Sequence, residues 1–241
     1  KKFLSFCLAI CIVLSISVVP AFAYSEWAHA DITPATNNRL IFKGTVQTDA
    51  PRYYVRQIQT NMYVYNEVTD TVYCNRRERA ETVSYVTISD VLNSQPRGVI
   101  INEVTGAVYY SGVTQPFPVQ DKDSLNLLGR TVLAGDLGDS YDVTAVAEER
   151  QKIRNSILES YGYTPENYEY YHCGDVTAVI PDEQYIDIRH QLNLREGDTR
   201  PGFYVTPSKN TIIAVNMNAD GQGQVFKFHK NVDSNWVLAA F

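Results

Sequence analysis

Residues 63–75 read YVYNEVTDTVYCN, and residues 99–111 read VIINEVTGAVYYS. At an offset of 36 the string N-E-V-T-x-x-V-Y recurs, as Asn66–Tyr73 and again as Asn102–Tyr109. In each copy an apolar arm runs into Asn-Glu-Val-Thr, and a Val-Tyr arm returns. Asp70 in one copy and Gly106 in the other tolerate the positive φ that short hairpin loops use. The pattern predicts two similar β-hairpins. The likeness stops at the flanks, so it does not predict a solenoid.

The surrounding chain points the same way. Arg39–Thr48 (RLIFKGTVQT) alternates as a half-buried strand does, and Asp49-Ala50-Pro51 is a turn. Tyr53–Asn66 and Glu81–Leu92 are further strand candidates, and Asn93–Gly98 is a turn cluster. Tyr24–Asn38 is expected to be an extended lead-in. Pro116, Pro118 and the polar run Gln120–Ser124 mark the expected end of this β-rich unit. The expected division is a leader over 1–23, a β-rich domain over 24–115, a linker over 116–139 and an α+β domain over 140–241.

In the second half, Gly129–Ala134 has strand character and Gly135–Asp142 is loop-like. Val143–Tyr161 has helical spacing, with Val146, Ile153, Ile157 and Leu158 mostly on one face, Asp142 as N-cap, Gly162 as C-cap and Pro165 barring continuation. Strands are expected at Val176–Ile180, Tyr185–Leu194, Gly202–Thr206, Thr211–Met217, Gln224–His229 and Trp236–Phe241. The expected fold class is mainly β: an antiparallel β-sandwich-like N-terminal half, then an α+β half with one long helix packed on an antiparallel meander. The 17 tyrosines, with many Val and Thr, suit pleated, half-buried surfaces.

The start has the three parts of a secretory signal: Lys1-Lys2, an apolar run Phe3–Val19, and Pro20 followed by Ala21-Phe22-Ala23. Cleavage before Tyr24 removes two lysines and no acid, taking the formal charge from −6 to −8. An acidic exported chain is a poor partner for nucleic acid or for anionic membrane surfaces, and no membrane association is expected after cleavage. The absence of an N-x-S/T sequon favours a bacterial source. Cys7 and Cys11 leave with the leader. Cys74 and Cys173 remain, and export makes a disulfide between them the expected state, with free thiols as the rival.

Asn216, Asn218, Asp220 and Gly221 imitate the start of a calcium loop, but Lys227 occupies the place of its bidentate acid. The four histidines (His29, His172, His190, His229) have no zinc-ligand spacing. No metal or cofactor is expected. Serine-nucleophile motifs are missing from the mature residues. Cys173 with His190 or His229 is the one candidate for a thiol hydrolase, oriented by Asp187 or Asn216. Glu166, Glu169, Asp175, Asp182, Glu183 and Asp187 are an acid pool without a telling context. Tyr54, Tyr110 and Tyr170 come from dense tyrosine clusters. In a strand doublet one ring must face away from the core, which makes these candidates for stacking on a sugar or anchoring a protein. The expected function is a secreted, non-catalytic, extracellular or cell-wall-associated binding protein for a glycan or protein at the cell surface. The alternatives are a secreted Cys-His hydrolase and an extracellular protease inhibitor.

Overall fold

The computed structural model describes residues 24–127 and 143–239. The leader over 1–23, the strand and loop expected within 129–142, the Asp142 cap and the last two residues of the expected Trp236–Phe241 strand lie outside the described residues.

Seven strands form a two-sheet antiparallel sandwich: β1 (Glu26–Ala35), β2 (Arg39–Thr48), β3 (Val55–Asn66), β4 (Val72–Glu81), β5 (Tyr85–Leu92), β6 (Val99–Tyr110) and β7 (Phe117–Asn126). One sheet runs β1-β2-β5 and the other β4-β3-β6-β7, an immunoglobulin-like Greek-key arrangement. Period-2 alternation directs Leu40, Phe42 and Val46 of β2, Ile58 and Met62 of β3, and Ile100, Val104 and Val108 of β6 into one core. The exposed edge of β1 is closed from the other sheet: Asp121 and Asp123 of β7 accept from the Ala30 and Ile32 amides at 2.8 and 2.7 Å. Edge N–H groups that would otherwise recruit another strand are thereby used.

The two copies of N-E-V-T-x-x-V-Y take different shapes. In the first, the Asn66 carboxamide oxygen accepts from the Val68 and Thr69 amides, and Asp70 turns the chain at φ 61°. The expected hairpin is β3-β4. The second copy runs straight through β6 and makes no hairpin. Its Asn102 lies inside the sandwich, where the amide donates at 3.0 Å to the carbonyls of Asp31 and Lys43. Gly106 serves packing instead of turning: a Cβ there would stand 2.3 Å from the Gln59 carbonyl oxygen and 2.5 Å from a Val46 methyl. The straight copy then pairs directly with β3, Val64 opposite Asn102.

Three other expectations in this half change. The lead-in forms β1. Residues 117–126, expected to open a linker, form β7, whose alternating polar residues are the signature of a half-exposed edge strand. Glu81–Leu92 is broken at Thr82, which has φ 55°.

The second half carries α1 (Val143–Ser160) and α2 (Asp182–Gln191) with strands β8 (Glu169–Tyr171), β9 (Gly202–Val205), β10 (Thr211–Met217), β11 (Gly223–Lys230) and β12 (Trp236–Leu238). The strands form a five-stranded antiparallel meander. One face of this meander packs on α1 through Ile157, Leu158, Tyr204, Ile213 and Val215. The other buries Phe203, Ile212, Ala214 and Phe228 against α2 and against the outward residues Tyr63, Tyr65, Val72 and Ile101 of the sandwich. The strand expected over Tyr185–Leu194 is α2. Its Tyr and Ile content imitates a strand, but Tyr185, Ile188 and Leu192 are buried at helical spacing. Val176–Ile180 is likewise not a strand, because Asp175–Ala178 makes a 3₁₀ turn between Gly174 and Pro181.

Gly106→Ala is therefore expected to destabilise the sandwich by about 1–3 kcal/mol through overpacking. Urea unfolding measures this, and an unchanged midpoint would refute the packing account of Gly106.

Candidate functional site

The outward face of the β4-β3-β6-β7 sheet is built in cross-strand rows. Gln120, Thr105, Asn61 and Arg77 form one row, and Pro118, Ala107, Gln59 and Arg79 the next. Where α2 crosses above these rows it leaves a groove of about 370 Å³. Tyr109, Pro116 and Pro118 form an apolar wall, Gln59, Asn61 and Gln120 supply amides, and Asp182, Glu183 and Asp187 of α2 form a carboxylate rim. A second basin of about 350 Å³ lies on the far side of Asp187, lined by Arg77, Gln184, His190 and Trp236.

A polar chain joins α2 to the groove floor. The Arg77 guanidinium donates to Asp187 at 2.7 Å and, through Nε, to the Asn61 carboxamide oxygen at 2.8 Å. His190 Nε2 lies 3.0 Å from the same oxygen. The Asn61 amide nitrogen is spent on the Thr105 carbonyl at 3.1 Å. The shared oxygen can only accept, so His190 carries its proton on Nε2 and Nδ1 is bare. Burial, then the charges of Arg77, Arg189 and Arg79, hold the imidazole pKa down at about 3. A ring of such low proton affinity is a weak general base near neutral pH.

Cys173 is placed elsewhere. Its Sγ is 2.8 Å from the Tyr185 hydroxyl, and among the described residues no histidine nitrogen is paired with it. The Cys-His pair is therefore not assembled. Cys173 is partly buried beside the meander core, Cys74 is in the sandwich core, and both thiols are free. The expected disulfide is not formed: Cys74 points inward between the sheets, while Cys173 lies beyond the opposite face of that sheet. Burial, followed by Asp90, pushes the Cys74 thiol well above the usual range.

The tyrosine doublets do split between core and surface, but with partners exchanged: Tyr109-Tyr110 across β6, and Tyr53-Tyr54 within the 3₁₀ turn Arg52–Tyr54. Tyr110 is 2% exposed, its hydroxyl 2.7 Å from Thr48 and donating to Glu26 at 2.5 Å. Tyr109 faces the groove. Tyr54 is half-buried between Tyr24 and Tyr53, and it is Tyr53 that is 72% exposed. The Tyr170 hydroxyl takes a hydrogen bond from Arg154 at 2.9 Å and is not free for a ligand. The outer face of the β1-β2-β5 sheet carries Trp27 and Tyr85 on either side of Gln47, 41% and 57% exposed. This surface is shallower than the groove.

Asp182, Glu183 and Asp187 were in the acid pool that sequence supplied, and the fold brings them to one rim. Tyr109, Gln59, Asn61 and Arg79 were missed. The signal for the last three was the alternation of polar residues along β3 and β4, which marks an outward face. The imitation of a calcium loop is a turn in which the Asn218 side chain accepts from the Asp220 and Gln222 amides. Among the described residues no group of three or more His, Cys, Asp or Glu side chains gathers to hold a metal. Nor is any described helix long and apolar enough to cross a membrane.

No protein-family model matches the chain, and no curated protein matches it. Among solved structures, the chain is similar to the CARDB domain of a Pyrococcus furiosus protein determined in complex with di-metal ions. The identity is 11% and the TM-score 0.27, over 43% of this chain and 93% of that one.

Two outcomes are expected. Without reductant, alkylation of the protein lacking residues 1–23, and with them Cys7 and Cys11, adds one label, at Cys173, and unfolding exposes Cys74 to a second; intact mass reads both. A species that takes label only after reduction would restore the disulfide. For His190, the folded pKa lies below the unfolded value of about 6.5, so the unfolded chain binds the extra proton. Its contribution is complete above pH about 6.5 and is lost as pH falls toward about 3, with a slope approaching 1.4 kcal/mol per pH unit. Urea titrations from pH 4 to 7 should show a flatter slope in His190→Gln; parallel slopes would mean that His190 is protonated in the folded state.

Proposed function

We propose that the chain is a secreted, non-catalytic binding protein of the extracellular or cell-wall space, and that it seats a glycan in the groove beneath α2. Secretion rests on the leader-like residues 1–23. The binding reading rests on one observation: an aromatic and proline wall faces a floor of side-chain amides and a carboxylate rim, in a cleft between two packed halves. Ligand sites favour such clefts, which combine apolar walls with a few convergent polar groups. Tyr and Pro rings offer flat C–H-compatible surface to a sugar, and Gln59, Gln120 and the acids offer partners to its hydroxyls. The floor is a hydrogen-bonded sheet and the rim a packed helix, so little ordering is needed on binding. The hydrolase alternative loses its basis in the separation of Cys173 from His190.

The test is retention on an immobilised panel of cell-wall and extracellular polysaccharides. Tyr109→Ala should weaken retention about tenfold, the scale of one lost stacking contact, while Tyr85→Ala leaves it unchanged. Loss with Tyr85→Ala alone would move the site to the outer β1-β2-β5 face. Retention of no polysaccharide would defeat the proposal.

A further inference from the structure

We infer that the groove selects glycans bearing free amino groups, that is, amino-sugar oligomers whose nitrogen is unacetylated. This rests on the groove being a glycan site and adds the chemical class.

Three carboxylates, Asp182, Glu183 and Asp187, stand on one rim of a cavity whose lining holds a single cation, Arg79. Arg77 is committed to Asp187 at 2.7 Å and to Asn61. Arg79 donates to the neutral Gln59 carboxamide oxygen at 2.8 Å and keeps its charge, so the lining sets two unpaired carboxylates against one guanidinium. Asp182 and Glu183 form no ion pair among the described residues and are exposed. Their position in the first turn of α2 also complements the helix N-terminus, a role that accounts for acids there but not for their opening onto a stacking wall.

A sugar lying on Tyr109 and the two prolines would direct its edge substituents toward this rim. An ammonium there meets two unpaired carboxylates. An N-acetyl group brings no charge, and a uronic or sulfated sugar meets like charge. The formal charge of −6, or −8 after leader removal, adds a long-range field that draws in a polycation and fades with salt.

The experiment is isothermal titration of the protein with a glucosamine oligomer and with its fully N-acetylated counterpart, at a pH where the amines are protonated. The free-amine oligomer should bind about tenfold tighter, the scale of two exposed charge contacts, and its advantage should shrink at high salt. The double variant Asp182→Asn, Glu183→Gln should bind the two oligomers equally, whereas Tyr109→Ala should weaken both. Equal binding by the unaltered protein, or a preference that survives the double variant, overturns the selection but leaves the glycan site standing. Binding of neither oligomer, or no effect of Tyr109→Ala on either, overturns the glycan site and the selection with it. A thermal melt of the double variant reads the helix-terminus role separately: a lowered midpoint with the amine preference intact would assign the acids to the helix and refute the selection.

Discussion

Two arginines lying on two tyrosines, Arg189 fully buried and Arg200 partly so, join the halves of this protein. Tyr63 and Tyr65 project from the same face of β3, with ring centroids 5.3 Å apart. The Arg189 guanidinium of α2 lies 4.1 Å over Tyr63, and that of Arg200 lies 3.9 Å over Tyr65. A buried guanidinium is costly unless charge and hydrogen bonds compensate. Burial works against the Arg189 charge, and Glu103, Tyr185 and Tyr63 more than offset it, so its pKa is raised. The Glu103 contact is an ion pair at 3.2 Å. Because Glu103 and Tyr63 are cross-strand neighbours on β6 and β3, the pair fixes where α2 can sit over the sheet. The groove follows from that position, since its rim acids lie on the same short helix, within two turns of Arg189.

A second anchor works at the other end of the contact. Asp70, at the tip of the β3-β4 hairpin, is paired with Arg154 of α1, and Arg150 and Arg200 each stand 3.8 Å from its other oxygen. Arg154 also donates to the Arg200 carbonyl at 2.7 Å. One carboxylate thus gathers arginines from the long helix and from the segment leading into β9. The hairpin tip is held by α1 and the middle of β3 by α2, so the two halves meet along the length of one strand rather than at a single point. The isolated bridge between Thr71 and Thr199 continues the same seam through backbone.

Much of this was legible in the chain, and the failures have physical causes. The alternation of RLIFKGTVQT gave β2 residue for residue, and the helical spacing around Ile153 to Leu158 gave α1. The repeat misled because N-E-V-T-x-x-V-Y is compatible with two conformations. Asn66 folds back onto its own turn, while the equivalent Asn102 finds partners across the sandwich, and only tertiary contacts choose between them. α2 was hidden by Tyr185, Ile186 and Ile188, good strand residues that burial selects at helical spacing instead. For the tyrosine doublets absolute facing was not readable: Tyr109 and Tyr110 alternate on β6, where only pairing with β3 and β7 sets which face meets the core, and Tyr53 and Tyr54 lie in a 3₁₀ turn before β3. The groove was beyond sequence altogether: Gln59, Tyr109, Pro118 and Asp182 meet only through long-range pairing.

The same contacts decide which side chains the groove presents to solvent. His190 is held neutral, with its Nε2 proton turned toward Asn61 and away from any thiol. Cys173 spends its contact on Tyr185. His190 and Cys173 are thus held in the joint between the halves, where they contribute rigidity. What faces solvent is a set of amides, rings and carboxylates on elements that the joint immobilises. A ligand of the kind proposed would meet this surface at little conformational cost.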